Sequence, residues 1–328
     1  LDMQSAEEDY GEALRLNRES QEAWLRRAQV RTQRGQYQAS HNRDPLKDYS
    51  DAEEDVAQLA KLAPASEKPA IWRSVLRVLR GSHLAGRGQD PLPEYERAVQ
   101  DAAEGLRLNP RSEDGFKRRG IAFLHRAVEL MARDRDPSGD FTSAEADLAR
   151  ARELAPNAAD VRMWQGILKV RVGQIVAGES LLSEAIDLKK DYPMAWMWRG
   201  IARMGRGDFD AARKDLAQAL QLNLGFTEAW LWRGILAARE GNWVASEEDL
   251  TRALALDLGY AEAWVERGSV RSERALLLER KGAAAEARKS HASAAEDWQA
   301  ALRINPLLTA RIGARLEGAL KKAASPGR

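Results

Sequence analysis

The stretch that decides the fold is AWMWRG at Ala195–Gly200, because close copies follow it at a constant spacing. The chain reads AWLWRG at Ala229–Gly234 and AWVERG at Ala263–Gly268, so the first tryptophan, the arginine and the glycine recur every 34 residues. A fixed period of this kind overrides the expectation of two globular domains for 328 residues, since repeat arrays grow by stacking. The second tryptophan is missing from the last copy, so its role differs from that of the first.

Each of the first two copies is followed by a glycine-containing break, at Gly205–Asp208 and Glu240–Trp243, and then by a second stretch of helix-forming residues. The pattern therefore predicts a helix–turn–helix unit and an all-α chain. It resembles the tetratricopeptide repeat (TPR), whose 34-residue unit has a bulky residue at position 4, small residues at 8 and 20, and often proline at 32. The resemblance implies a right-handed α-solenoid of TPR units.

The same register extends over most of the chain. Further first helices open at AWLRRA (Ala23–Ala28), IWRSVL (Ile71–Leu76), GFKRRG (Gly115–Gly120) and RMWQGI (Arg162–Ile167). Prolines that stop helices close second helices at Pro64, Pro110, Pro156 and Pro306. We therefore expect a single array over residues 1–328, with seven units in 21–306 and a capping helix at 307–323. Residues 6–17 form an orphan second helix whose first helix would lie upstream in a longer protein.

Composition excludes several classes of function. There are 51 Lys and Arg against 50 Asp and Glu, so nothing calls for nucleic acid as a partner. Cysteine is absent, which excludes thiolate metal sites and thiol catalysis. No apolar run is long enough to insert in a membrane. The stretch LDMQSAEEDYGEALRLN is not expected to be a signal peptide, because it carries acidic residues where a basic and an apolar region should be. The four histidines are scattered and do not have the spacing of metal ligands. No nucleophile elbow or phosphate loop occurs. We expect no enzyme and no cofactor, and a cytoplasmic location.

Three of the lengthened turns share Asp-Pro, an acid four residues after the Asp, and then an aromatic residue, beginning at Asp44, Asp90 and Asp136. The acid and the aromatic residue are predicted to cap and staple the second helix. The third turn also imitates a calcium-binding EF-hand loop, with candidate ligands Asp134, Asp136, Ser138, Asp140 and Glu145. The sister turns carry leucine where Ser138 stands, so a shared turn is favoured over a metal site.

Charges at two places of the unit vary together. Arginine at position 7 and aspartate at position 23 are present in most units, whereas the fourth unit has Gln165 and Leu181 there. This joint loss predicts an Arg–Asp bridge across each helix pair. The second unit is an exception, because Val75 stands opposite Asp101 in this register.

The resemblance assigns different surroundings to the two tryptophans. Position 4, with Trp196 and Trp230, packs the two helices of a unit together. Positions 5, 6 and 9 belong to the set that lines the concave groove of the solenoid. An apolar groove is therefore expected from Met163, Trp164, Ile167, Met197, Trp198, Ile201, Leu231, Trp232 and Ile235. The alternative is that these side chains only seal neighbouring first helices together.

The groove of the N-terminal half carries cations instead, namely Arg26, Arg73, Arg77, Lys117 and Arg118. No three consecutive units carry the set of lysine, asparagine and arginine with which TPR clamps bind chaperone termini. We therefore expect a non-catalytic scaffold that binds a protein or peptide segment combining acidic with aromatic or aliphatic side chains. The alternatives are a regulatory tail of a larger signalling enzyme, such as a bacterial Ser/Thr kinase, and self-association through the final helix.

Overall fold

The computed structural model describes residues 2–41 and 43–324, and every regular element in them is helical. The sixteen α-helices of these residues are α1 (Met3–Leu16), α2 (Gln21–Ser40), α3 (Leu46–Leu62), α4 (Lys68–Gly86), α5 (Leu92–Leu108), α6 (Glu113–Ala132), α7 (Ser138–Leu154), α8 (Ala159–Arg171), α9 (Ile175–Leu188), α10 (Pro193–Gly205), α11 (Phe209–Leu222), α12 (Thr227–Arg239), α13 (Trp243–Leu256), α14 (Ala261–Arg280), α15 (Ala284–Ile304) and α16 (Thr309–Ala324). A 3₁₀ turn, Pro306–Leu308, precedes α16.

The chain divides into two compact units, each built from helix pairs. The N-terminal unit, Leu1–Ala85 with Asp90–Lys190, contains α1 and pairs such as α2/α3, α6/α7 and α8/α9. The C-terminal unit, Gly86–Gln89 with Asp191–Arg328, contains the pairs α10/α11, α12/α13 and α14/α15, followed by α16 packed on α15. The all-α, helix–turn–helix architecture predicted from the repeat is therefore confirmed.

Small residues at position 8 let the two helices of a pair approach closely. A Cβ atom added to Gly200 or Gly234 would lie 3.0 or 2.8 Å from the leucine that faces it on the second helix. In the last unit Trp298 takes the place of that leucine, and its indole N–H donates to the carbonyl of Val265 at 3.1 Å. The close packing of the two helices therefore depends on glycine at position 8, because a larger residue there would force the helices apart.

The first three units repeat every 46 residues, and this changes the register predicted for the second unit. Arg27, Arg73 and Arg119 are 46 residues apart, as are the three Asp-Pro turns. Counting from Trp72 as position 4 was therefore wrong by two residues. Trp72 stands where the second tryptophan stands in other units, and Val75 is not at the place of the bridging arginine.

The longer period comes from longer first helices. The first helices α2, α4 and α6 have 20, 19 and 20 residues, against 13 in each of α8, α10 and α12. The added turns carry Arg34 to Asp48 and Arg126 to Asp140, with nitrogen–oxygen distances of 2.6 Å in both ion pairs. The last unit is lengthened too, and its leucine-rich segment extends α14 to 20 residues.

The Asp-Pro turns start the second helices by a different device from the one expected. A carboxylate oxygen of Asp44 accepts the backbone N–H of Leu46 at 2.9 Å, and Asp90 and Asp136 bind the residue two further on in the same way. The acid four residues on does not cap the helix. It is buried and pairs with an arginine of the first helix, as Asp140 does with Arg126.

Candidate interaction surface

Ion pairs join the two helices of most units, which confirms the predicted bridges. In five units the arginine at position 7 donates two hydrogen bonds, 2.6–3.0 Å long, to both oxygens of a buried aspartate. The pairs are Arg27–Asp55, Arg119–Asp147, Arg199–Asp215, Arg233–Asp249 and Arg267–Asp297. Burial raises the pKa of Asp55 and Asp297, and the arginines oppose that rise. These charges therefore serve the pairing of helices.

The second unit makes the same bridge through its shifted register. Arg73 and Arg77 donate to the two oxygens of Asp101 at 2.9 and 2.6 Å, on either side of Val75 in sequence. Arg77 also reaches Glu53 of the preceding second helix at 3.2 Å. Both arginines, which the sequence placed in the groove, are thus engaged between helices.

The first tryptophan of each motif is clamped at its two ends. The guanidinium carbon of the arginine three residues later lies 4.6–4.8 Å from the ring centre in four units. The indole N–H of Trp24, Trp230 and Trp264 donates at 2.9 Å to the backbone carbonyl six residues earlier. The ring is only half-buried, yet these contacts tie the inter-repeat loop to the first helix.

Arg162 replaces this tryptophan in the fourth unit and reproduces its loop contact. One guanidinium nitrogen donates at 2.8 Å to the carbonyl of Pro156, again six residues earlier, while Nε donates to Glu184 at 2.9 Å. The side chain is buried. The fourth unit thus keeps the loop anchor although it has lost both the tryptophan and the Arg–Asp bridge.

The second tryptophans are half-buried in the helices where the sequence placed them. In the C-terminal unit, Trp198 and Trp232 pack against a core cluster together with Ile201 and Ile235, which are also partly buried. In the N-terminal unit, the ring of Trp164 lies 6.2 Å from that of His125. Packing and exposure coexist at each ring, so a role in binding a ligand and a role in sealing neighbouring first helices both keep support.

The residues at position 5 do not offer a surface. Met163, Met197 and Leu231 are 1%, 4% and 2% exposed, and Ile167 at position 9 is 3% exposed. They were expected in the floor of the groove, but they lie in the core because this side of the first helix turns towards its neighbours. The apolar surface of the C-terminal unit is therefore formed by side chains at positions 6 and 9.

The five cations expected in the N-terminal groove are each paired with a carboxylate of the same chain. Lys117 is 7% exposed, and its ammonium group lies 3.0 Å from Asp114 and 2.9 Å from Asp160. Those carboxylates raise the pKa of Lys117 against the effect of its burial. Arg118 pairs with Asp114 at 3.1 Å, and Arg26 pairs with Glu22 at 2.6 Å. These residues therefore do not form a basic groove that is available to bind an acidic partner.

The candidate calcium ligands are engaged in other contacts. Asp140 accepts two hydrogen bonds from Arg126, at 2.6 and 2.7 Å, and Glu145 accepts one from Lys169 at 2.6 Å. Asp136 binds the backbone N–H and the hydroxyl of Ser138, both at 2.9 Å. Asp134 has a φ of 53° in the turn before α7. In the described part of the chain, no three acidic or histidine side chains are grouped as a metal site.

Two further residues, at positions 6 and 2 of first helices, were not singled out from the sequence. Trp72 was not recognised as a position-6 tryptophan because the register of its unit was two residues off. The 46-residue spacing of the first three units would have identified it. Glu228 lies one helical turn before Trp232 and is exposed. Desolvation by the surrounding protein raises the pKa of this carboxyl group.

Comparison with known proteins agrees with these repeats. Residues 199–261, which include the AWLWRG copy, match the family model described as tetratricopeptide repeat. Over these residues the chain is similar to tetratricopeptide repeats. No curated protein matches the sequence significantly. The TPR fold is consistent with a protein-interaction scaffold.

Solved structures share the fold at low sequence identity. A chain of the APC/C hetero-tetramer Cut9–Hcn1 matches with a TM-score of 0.63 and 14% identity, over 98% of this chain and 53% of that one. Yeast Tom70 matches with a TM-score of 0.55 and 18% identity, over 98% and 59%. A TPR protein from Parabacteroides merdae ATCC 43184 gives 0.54 and 15%, over 85% and 93%.

The chain thus spans between half and three fifths of the length of the first and second of these proteins. Among the helices that the structure describes, none is long and apolar enough to cross a lipid bilayer.

Proposed function

We propose that this TPR chain is a non-catalytic scaffold that binds a peptide or protein segment on the concave side of its first helices. The observation that carries the proposal is the half-buried aromatic surface of the C-terminal unit, formed by Trp198 and Trp232 with Ile201 and Ile235. Aromatic side chains of this kind supply much of the binding energy at protein interfaces. Their firm seating on the core keeps the entropy cost of binding low.

The non-catalytic part of the proposal rests on how the titratable groups are used. The buried aspartates at position 23 each pair with an arginine, and the five cations expected in the N-terminal groove each pair with a carboxylate. A general acid, base or nucleophile needs a group that is free to exchange a proton or attack a substrate. These pairs instead hold helices in register, as buried ion pairs can do.

The test compares the two tryptophans of one motif. Peptides are selected from a random dodecapeptide library displayed on phage, and their affinities are measured for the native chain, Trp232→Ala and Trp230→Ala. Trp232→Ala is expected to weaken binding by about 2 kcal/mol, as the loss of an aromatic anchor does. Trp230→Ala is expected to destabilise the fold by about 3 kcal/mol, because its ring ties loop and helix together.

Two results would count against the proposal. One is that the library yields no binder. The other is that the selected peptides bind Trp232→Ala as tightly as the native chain while the variant remains folded, which would place their site elsewhere.

A further inference from the structure

The concave side of the C-terminal unit carries a particular order of side chains. Helix α12 lies between α10 and α14, and positions 2 and 6 of one helix are a single turn apart on the same face. These positions hold Met194 and Trp198 on α10, Glu228 and Trp232 on α12, and Glu262 and Glu266 on α14. Along this side, an aromatic ring on α10 is followed by a ring and a carboxylate on α12 and by two carboxylates on α14.

The carboxylates differ in whether they are already compensated. Glu262 and Glu266 are both held by Arg311 of α16, each at 2.8 Å. Glu228 forms no ion pair within the described residues, although it is exposed on the same side. Desolvation raises its pKa, so the ionised form gains more from a cation than a fully hydrated carboxylate would. Among the described residues, this surface therefore has one carboxylate without an ion pair, Glu228, one helical turn from the aromatic ring of Trp232.

The cations that were expected to attract an acidic partner are already paired within the chain, so they do not favour such a partner. Lys117, Arg118 and Arg26 are bound to carboxylates of the chain, and Arg73 and Arg77 bridge helices. An acidic segment would have to compete with these intramolecular carboxylates. A basic segment would meet Glu228 without displacing any ion pair.

We propose that the partner segment is basic and apolar, with a lysine or arginine placed on Glu228 and an adjacent aliphatic or aromatic side chain placed against Trp232. The carboxylate attracts the cation, and the indole ring packs against the apolar side chain. Charge complementarity of this kind mainly sets which partner is chosen and how fast it arrives. The inference rests on the proposed function and reverses the acidic partner expected from the sequence.

The experiment uses three peptides of equal length that share the same leucine and phenylalanine positions and differ only in having lysine, glutamine or glutamate between them. Fluorescence anisotropy gives the affinity of each for the native chain, Glu228→Gln, Glu228→Lys and Glu248→Gln. Glu248 is exposed on the second helix α13, so its variant is a matched control for the loss of one negative charge.

The lysine peptide is expected to bind about tenfold more tightly than the glutamate peptide, with the glutamine peptide in between. Glu228→Gln should weaken the lysine peptide about fivefold, Glu228→Lys should reverse the order, and Glu248→Gln should change neither. Equal binding of all three peptides, still lost in Trp232→Ala, would overturn the basic partner and leave the scaffold intact. Failure of all three to bind would count against both.

Discussion

At the scale of single residues, the repeat keeps contacts rather than residue types. Trp24, Trp230 and Trp264 anchor the preceding loop through the indole N–H, and Arg162 makes the same anchor with a guanidinium nitrogen. The loop carbonyl accepts one hydrogen bond, and either side chain supplies the donor. The same logic holds for the Arg–Asp bridge, which disappears as a pair in the fourth unit because one charge left alone would cost more than none.

The bridge allows a prediction that uses the fourth unit as its guide. Asp249→Leu should destabilise the chain by about 2 kcal/mol, since Arg233 loses the carboxylate that accepts its two hydrogen bonds. The double variant Arg233→Gln with Asp249→Leu, which copies Gln165 and Leu181, should recover more than half of that loss. Urea unfolding of the two single variants and the double variant gives the coupling energy. Additive effects within about 0.3 kcal/mol would show that the pair is not coupled.

At the scale of helices, the length of the first helix decides which contacts a unit can make. The long helices α2 and α4 bring Gly35 and Gly81 under the rings of Tyr49 and Tyr95 on the second helix. Burial raises the pKa of both tyrosines to about 12, so their hydroxyl groups stay neutral. The short helices of the later units end before this point and leave the contact out.

The close approach of helix and ring gives a second prediction. A Cβ atom on Gly35 would lie 2.5 Å from the ring of Tyr49, so Gly35→Ala should destabilise the chain by about 1–3 kcal/mol. Gly139 in α7 has no neighbour within 4 Å, and Gly139→Ala should be neutral or slightly stabilising because alanine favours helix. Thermal melts of both variants provide the comparison. Equal shifts in Tm would mean that helix propensity, and not the contact, sets the effect.

At the scale of the whole molecule, a recurrent pattern of ion pairs joins the second helix of one repeat to the first helix of the next. A glutamate of one second helix contacts residues 24 and 27 further on, as Glu53 does with Arg77 and Arg80. Glu247 repeats this with Arg271 and Arg274. Because each repeat rests on the next, damage in one unit spreads to its neighbours.

His125 connects stability to pH in the N-terminal unit. Desolvation, helped by Arg171, lowers its pKa to about 4, so the folded chain holds this imidazole neutral between the rings of Tyr95 and Trp164. The unfolded chain binds the proton at a higher pH, near 6.5, and therefore gains it first as the solution is acidified. The stability that depends on neutral His125 is present above about pH 6.5 and is lost towards pH 4.

The corresponding prediction uses a ring that cannot titrate. Between pH 7 and pH 4.5 the native chain should lose about 1–3 kcal/mol more unfolding free energy than His125→Phe loses. Other groups titrate in both proteins and cancel in the difference. Urea unfolding at the two pH values measures it, and identical losses would show that His125 is as hydrated in the folded chain as in the unfolded one.

The 34-residue spacing of AWMWRG and its copies determined, without coordinates, the helix–turn–helix unit and the Arg–Asp bridges. It could do so because period, glycine position and paired charges are local or nearly local features. The tertiary structure decided the rest. It placed Met163, Met197 and Leu231 in the core, and it paired Lys117, Arg73 and Arg77 with carboxylates of other helices. Exposure and charge compensation depend on which helices pack together, and a repeat pattern does not encode the distance between side chains far apart in sequence.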